Sequence, residues 1–541
     1  MSTSTPRVRT ALATGALLVL GGVLVAIWSA IAALTLCLNE TPSFAEVYQQ
    51  ALPIVGLGAR GILDVVNQVV PGLSPPGAPC DPTALARALT LAGLVYLAGL
   101  GVLSLSIGCG STRWAGSIIA LVALVCQVML LLMPGLLSSD VLDYTSYGRI
   151  MAEYDANPYV VPRSAFPADP LTSFGDWQDQ LFLYGPLWAR VADGLARALP
   201  AGDPVQLVLA YKLVAFATQV VSLGLVWWLT GRWQALGVLS GARVAAFALY
   251  AWNPAVLLEF VGGAHTEAVM STSVLAAMAL LTLAVHYERH SQKLWLGAIL
   301  NVALGVLIKF VPAPVGAFAV LAWLRRQASL RQAVRRGIPV ALLLAGLTLV
   351  LAWPWLDSTA ILRPVFLVGA GGHRYHDAWQ DAPAEWITVR VLAPLDQPPE
   401  TRTDVARSLV WAVTRTLFVV YVVFEVRHFW QRAGESGERV LQAIAAASAR
   451  VMMLVILLLL TQILAWYFTW PLPLAALLGW RHPVAKAAVA LSLTFLPAYY
   501  LREFQSYGTF YLPIYLGVAL ALVALFWVVD VMSPSPTGSP G

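Results

Sequence analysis

The feature that most limits this fold is a repeated one. Runs of some 20 apolar residues, broken by polar turns, recur along nearly the whole chain. They fall at about 11–36, 84–106, 115–136, 205–230, 244–260, 266–286, 337–354, 406–426, 451–467, 483–499 and 509–530. A helix of ~20 apolar residues crosses a bilayer, where backbone polar groups must pair within their own segment. Two shorter pieces, 294–308 and 311–324, read as a paired or tilted hairpin, and 469–480 as a stub after 451–467. The expected fold is an all-α polytopic membrane protein with roughly 13–14 transmembrane helices. Composition agrees: 59% of the 541 residues are hydrophobic and 11% are charged, where a soluble domain carries about 25% charged residues.

The net charge of +5 is explained by where the cations stand. Alternate loops hold Arg7 and Arg9; Arg113; Arg232 and Arg243; Arg289 and Lys293; Arg325, Arg326, Arg331, Arg335 and Arg336; Arg427, Arg432, Arg439 and Arg450; Arg481 and Lys486. Basic residues gather on the cytoplasmic side of a membrane protein. The excess is therefore an orientation signal, and no nucleic-acid partner is expected. Both termini come out cytoplasmic in a multi-pass plasma-membrane protein, and loops 38–83, 137–204 and 355–405 come out exoplasmic. The first apolar run is too long for a typical signal-peptide core and reads as a retained anchor. Cys37 and Cys80 share the first exoplasmic loop, where a disulfide and two free thiols are both open. Residues 1–114 read as a two-span appendage, 115–530 as the main transmembrane unit, and 531–541 as a disordered tail.

The loop 137–204 is too long for a plain connector. From its start, Asp140, Asp143, Tyr144 and Tyr147 share one helical face at i, i+3, i+4, i+7 spacing. The stretch NPYVVPRSAFPADP then breaks the helix. WQDQLFLYGPLWARVADGLARAL reads as a second amphipathic helix, with Trp177, Tyr184, Leu187 and Trp188 suited to the lipid interface. Two helices lying on the membrane would form a shelf over it.

Several residues on this side carry chemistry, each with a plainer reading beside it. Asp140, after Ser138 and Ser139, suits a helix N-cap; it equally suits a general base that meets a lipid-borne donor and a water-borne acceptor at one boundary. Asp143 could orient Asp140, raise its pKa by repulsion, or be merely solvated. Two carboxylates without a third ligand make a poor metal site, so no metal is expected. In YAWNPAVLLEFVGGAHTEAVM, His265 and Glu267 open a helix whose free N–H groups favour an anion; a tight hairpin satisfied by headgroups is the alternative. Lys309, in LGVLIKFVPAP, is an intramembrane cation, either functional or snorkelling. Lys212 and Arg415, inside other spans, face the same choice. GAGGHRYHDAWQDAPAEW offers His373 and Arg374, the latter a plausible phosphate clamp, or is a solvated loop. Trp466, Tyr467 and Trp470 form an interfacial aromatic belt or a sugar-stacking platform.

Taken together, SDVLDYTSYG, DANPY, LYGPLW, WNPAVLLEFVGGAHTEA, LIKF and WYFTWPLPLAAL resemble, in order and spacing, the polyprenol-phosphate-mannose-dependent mannosyltransferases of bacterial cell envelopes, which are GT-C membrane glycosyltransferases. The resemblance runs from about 130 to 480. It implies many transmembrane helices, two interface helices in the first large loop, a lipid-linked donor and an acidic catalytic residue at the start of that loop, the place of Asp140. No Gly-rich βαβ unit for a nucleotide sugar is found. The chain departs from the family pattern in DYTSYG and in Thr266-Glu267.

The expectation is an inverting transfer of mannose from a polyprenyl-phosphate donor to a glycan or glycolipid acceptor on the exoplasmic side, without a cofactor. Asp140 would be the base. Lys309, Arg374 and His265 would hold the donor phosphate. Asp143, Tyr144, Tyr147, Glu267, His373, Trp466 and Tyr467 would hold sugar or acceptor. The rivals are the same fold with another lipid-linked sugar or a protein acceptor, a transporter or lipid-sugar flippase, and a non-catalytic assembly subunit.

Overall fold

The computed structural model describes residues 6–38, 42–69, 82–105, 112–175, 177–199, 203–287, 290–357, 359–362, 381–394, 397–434, 437–460, 462–504 and Ala519. Among these it is mostly helical and has no strand, as an all-α polytopic membrane protein should be. The chain runs through α1 (Pro6–Leu34), α2 (Pro42–Ala51), α3 (Pro53–Val69), α4 (Pro82–Leu105), α5 (Thr112–Leu131), α6 (Asp140–Tyr154) and α7 (Pro186–Ala198). It continues through α8 (Pro204–Ala235), α9 (Arg243–Ala251), α10 (Pro254–Leu257), α11 (Glu267–His286), α12 (Ser291–Val306), α13 (Ala313–Arg325) and α14 (Leu330–Ala352). It closes with α15 (Asp381–Trp386), α16 (Pro399–Arg432), α17 (Gly437–Leu454), α18 (Leu472–Leu478) and α19 (Pro483–Phe504).

Nine of the described helices are long and apolar enough to cross a membrane, ten if the bent pair Arg243–Ala251 and Pro254–Gly262 is one span. The hairpin α12–α13 and the stub α18 are too short to count, and of the run expected at 509–530 only Ala519 is described. The 49° bend in the broken span has a local cause. Pro254 has no N–H to continue α9, and Asn253 restarts the helix as its N-cap, accepting from the N–H groups of Ala255 and Val256 at 3.0 and 3.4 Å. A wide π turn, Leu258–Gly262, follows.

One expected span moves. The run placed at 451–467 begins earlier, at Gly437, and ends at Leu459. Arg450, expected in a cytoplasmic loop, is therefore inside it. Its Nε donates to Glu425 Oε2 of α16 at 3.0 Å, because a cation buried among helices needs a counter-charge. Lys212, also buried, lies 3.5 Å from the carbonyls of Leu130 and Met133. It answers the orphan C=O groups where α5 ends before Pro134. The neighbouring Gly135 N–H donates to Oγ1 of Thr35, the residue after α1, at 3.1 Å. These bonds fix the point from which the chain enters α6. The first helices pack into the same core: Tyr96 of α4 donates to the Leu249 carbonyl at 2.9 Å. Cys37 is disulfide-bonded and Cys126 is a buried free thiol; Cys80 and Cys109 lie outside the described residues.

Candidate active site

Asp140 is the first residue of α6, and Ser139, which makes no side-chain cap bond, occupies the N-cap position. The capping reading of Asp140 therefore fails. Its Oδ2 is turned toward other elements. It accepts from the hydroxyl of Tyr144, one helical turn on, at 3.3 Å and from that of Tyr184 at 3.5 Å. His265 Nδ1 lies 3.5 Å from the same oxygen. Burial, the neighbouring Asp140 carboxylate and each other's hydroxyl bear on both tyrosines, and the outcome is a phenol pKa well above the ordinary value. Both stay protonated and remain donors. Oδ1 of Asp140 accepts from none of the described residues. The Asp140 side chain is 15% exposed while that of His265 is wholly buried, so the acid alone of the two reaches the open space.

That space is a cleft of some 540 Å³ including its mouth, lined by Asp140, Tyr144, Tyr147, Trp177, Gln180 and Gln462 among others. Its walls are aromatic faces and amides beside two carboxylates, Asp140 and Asp143. This is a surface suited to a sugar ring, which presents C–H faces and hydroxyls.

A cation stands on the other flank. The Lys309 ammonium is 2.9 Å from Glu267 Oε1, and Trp470 Nε1 donates to that same oxygen at 3.2 Å. The rings of Tyr467, Tyr184 and Trp470 surround the ammonium at 4.9–5.7 Å from their centroids. Burial alone would lower the pKa of Lys309, but Glu267, Tyr467 and Asp140 together outweigh it and the net shift is upward. The cation is therefore fixed in charge and place. Its loop is tied down by Gly185, whose N–H donates to Ile308 O at 2.8 Å, while Leu187 N–H donates to Leu307 O at 3.0 Å. A Cβ on Gly185 would sit 2.2 Å from the Leu307 carbonyl oxygen, so only glycine permits the junction. LYGPLW and LIKF, distant in sequence, are thus one structural unit.

The structure sorts the predicted residues. Asp140, Tyr144, His265, Glu267, Lys309, Trp466 and Tyr467 converge on one site: Trp466 stacks on the His265 ring at 4.0 Å, and Tyr467 lines the cleft. Tyr147 lines it too, its hydroxyl donating to the Gln180 carbonyl. Asp143 lines the cleft but also pairs at 2.8 Å with the wholly buried Arg163, whose Nη1 donates to Phe174 O at 2.7 Å. It therefore ties α6 to the following loop. Among the described residues no cluster of three or more His, Cys, Asp or Glu could hold a metal. His373 and Arg374 lie outside the described residues.

Two expectations about the second loop helix are corrected. It starts at Pro186 rather than Trp177, because 177–185 follows the cleft wall as irregular chain. Trp188 is buried rather than lipid-facing, packed edge-on against Tyr144 at 5.6 Å, and Tyr184 serves Asp140. Sequence reasoning also missed Glu259, Arg163 and Tyr500. Glu259 left a usable signal, a carboxylate inside an apolar run. The others did not, since an Arg in a proline-rich loop and aromatics in a membrane helix are common.

Comparison with known proteins gives the family. A family model described as the N-terminal domain of alpha-(1->6)-mannopyranosyltransferase matches residues 51–325. Alpha-(1->6)-mannopyranosyltransferase A of Mycobacterium tuberculosis is 25% identical over 475 residues, 83% of each chain. A probable alpha-(1->6)-mannopyranosyltransferase of Mycolicibacterium smegmatis is 27% identical over 246 residues, 44% of this chain and 42% of its own. No solved structure matches. The matched stretch runs from α2 to the end of α13 and contains the Asp140, His265 and Lys309 segments, and the chain belongs to the alpha-(1->6)-mannopyranosyltransferase family of GT-C membrane glycosyltransferases.

Proposed function

We propose that this protein is an inverting α-mannosyltransferase that takes mannose from a polyprenyl-phosphate donor and passes it to a glycan or glycolipid on the exoplasmic face. The mannosyl transfer itself follows from family membership. The observation that carries the rest is the asymmetric setting of Asp140: the Tyr144 and Tyr184 hydroxyls donate to Oδ2 with the His265 imidazole beside it, Oδ1 accepts from none of the described residues, and the side chain lines the cleft.

In this reading the acceptor hydroxyl approaches from the cleft and gives its proton to Asp140 as its oxygen attacks the anomeric carbon. The C–O bond to phosphate breaks on the opposite side, and the electron pair leaves with the phosphate. Lys309 balances that charge, as a preorganised cation does, so the leaving group needs no separate acid. One base and a direct displacement invert the anomeric centre, turning a β-linked donor into an α-mannoside.

The side of the membrane is supported by the helix ends. The site gathers where α5 ends, where α8 and α11 begin, and between α12 and α13. Arg232, Arg243, Arg325, Arg326 and Arg432 lie at the opposite ends of their helices, as basic residues on the cytoplasmic side would.

The lipid tail has a fitting place. A groove of some 650 Å³ including its mouth runs between α12, α13 and α14, lined by Val302, Ala303, Val306, Leu307, Gly316 and Leu344 among others. Leu307 ends it two residues from Lys309, which would join tail to phosphate. Purified enzyme in proteoliposomes should transfer mannose from synthetic polyprenyl-phosphate mannose and none from a nucleotide sugar; the reverse preference would overturn the proposal. Ala303→Phe, which fills the groove, should raise KM for a long-chain donor about tenfold while barely affecting a short-chain one, by the loss of a few buried methylenes. Equal effects on both chain lengths would place the tail elsewhere.

A further inference from the structure

Behind Asp140 stands a second carboxylate. Glu259 lies in the π turn of the broken span and is wholly buried. An ionised carboxylate there costs several kcal/mol unless it is paired. Its partners come from two elements. The Tyr500 hydroxyl of α19 lies 3.0 Å from Oε1 and 3.2 Å from Oε2. His265 Nε2 lies 3.3 Å from Oε2, at ion-pair range rather than in a well-aligned hydrogen bond.

The imidazole is thus bracketed, one nitrogen toward Glu259 and the other toward Asp140. Its ring cannot turn away. Trp466 is stacked on it at 20° between planes, and a Cβ at Gly263 would fall 2.5 Å from the ring. Ala264, just before it, holds a left-handed φ of +53°, a conformation a non-glycine residue adopts at a cost. Chain strain, stacking and two carboxylates all serve one ring orientation.

We propose that Glu259 is a positioning residue for the transfer reaction, acting through His265 to hold a fixed positive charge against Asp140 Oδ2 and so to keep Oδ1 turned to the acceptor. This rests on Asp140 being the base. During transfer the hydroxyl proton ends on Asp140, while His265 and Glu259 remain an ion pair and exchange no proton.

The charge state of His265 gives the readout. It faces Asp140 from α6 and Glu259 from the π turn. Glu267 and Lys309 lie beyond them, and the hydroxyls of Tyr144, Tyr184 and Tyr500 contact the two carboxylates. Burial pushes the imidazole down, but Asp140 and Glu259 outweigh it, and its pKa rises from 6.5 to about 9. The stabilisation from this pairing is therefore complete below about pH 6.5 and is lost as pH rises through about 9. Transfer by the wild type should fail along that same alkaline limb.

Glu259→Gln keeps the volume and removes the charge. Its alkaline limb should move down by about one pH unit or more, a tenfold loss in proton affinity per unit, and kcat should fall more than KM rises. Lower activity with an unmoved limb would mean that Glu259 is only structural, and would overturn the inference while leaving Asp140 in place. An active Asp140→Asn enzyme would sink the base and this inference together. Should Glu259→Gln not fold, Tyr500→Phe removes only one hydroxyl from Glu259. With that donor gone the Glu259 carboxylate holds the imidazolium more tightly, so an upward shift of the limb supports the inference and an unmoved or lowered limb overturns it.

Discussion

Asp140→Asn will lower mannosyl transfer by about 10²–10⁴-fold, the usual cost of removing a general base, and leave the fold intact. The amide keeps the shape of the side chain. Its oxygen can still accept from Tyr144 and Tyr184, so the contacts that seat α6 survive. What it cannot do is take the acceptor proton. Turnover should collapse with binding of the donor little changed, and the midpoint of thermal unfolding in detergent should stay within a few degrees. A variant retaining more than a tenth of wild-type transfer would remove Asp140 from the chemistry. A variant that loses transfer only because it no longer folds would show it in the unfolding midpoint.

The second large effect is expected at Lys309. Lys309→Met leaves Glu267, whose side chain is 1% exposed, as a buried carboxylate without its cation. Breaking one side of such a pair costs about 3–5 kcal/mol, so this variant should be both unstable and inactive, and alone it decides nothing. The double variant Lys309→Met with Glu267→Gln separates the two roles. Both charges leave together, and the new amide can still accept from Trp470 Nε1. Stability should return close to wild type. Transfer should remain about 10²–10³-fold down, the scale of a lost charge stabiliser in a transition state. If the double variant recovers transfer along with stability, Lys309 is merely the partner of Glu267, and the donor phosphate is held elsewhere.

Much of this could be read from the chain before folding. The spans and the helix opening at Asp140 are local matters. They depend on apolar run length and on turn residues. The cluster Asp140, His265, Glu267 and Lys309 was also legible, because polar groups at the end of an apolar run are costly and so stand out. The aromatics were misjudged for a general reason. Trp188 and Tyr184 have the composition of an interfacial belt, and the same amphipathic rings serve equally well inside a core when the hydroxyl or the ring finds a partner. Arg450 was misplaced because a charge near a helix end usually reads as a loop residue, and its partner Glu425 lies on another helix.

From the residue order alone came the solvent of this protein, its helical class and the polar residues that stand out at the ends of its apolar runs. Each is set by free energies that act over one helix length: burial of apolar surface and the cost of unpaired backbone or charge. Tertiary structure alone decided which oxygen of Asp140 is left free, that Glu259 stands behind His265, that Asp143 belongs to Arg163, and that Gly185 brings Tyr184 to Lys309. Those are distances between segments far apart in the chain. They depend on how the helices pack, and no local preference encodes them.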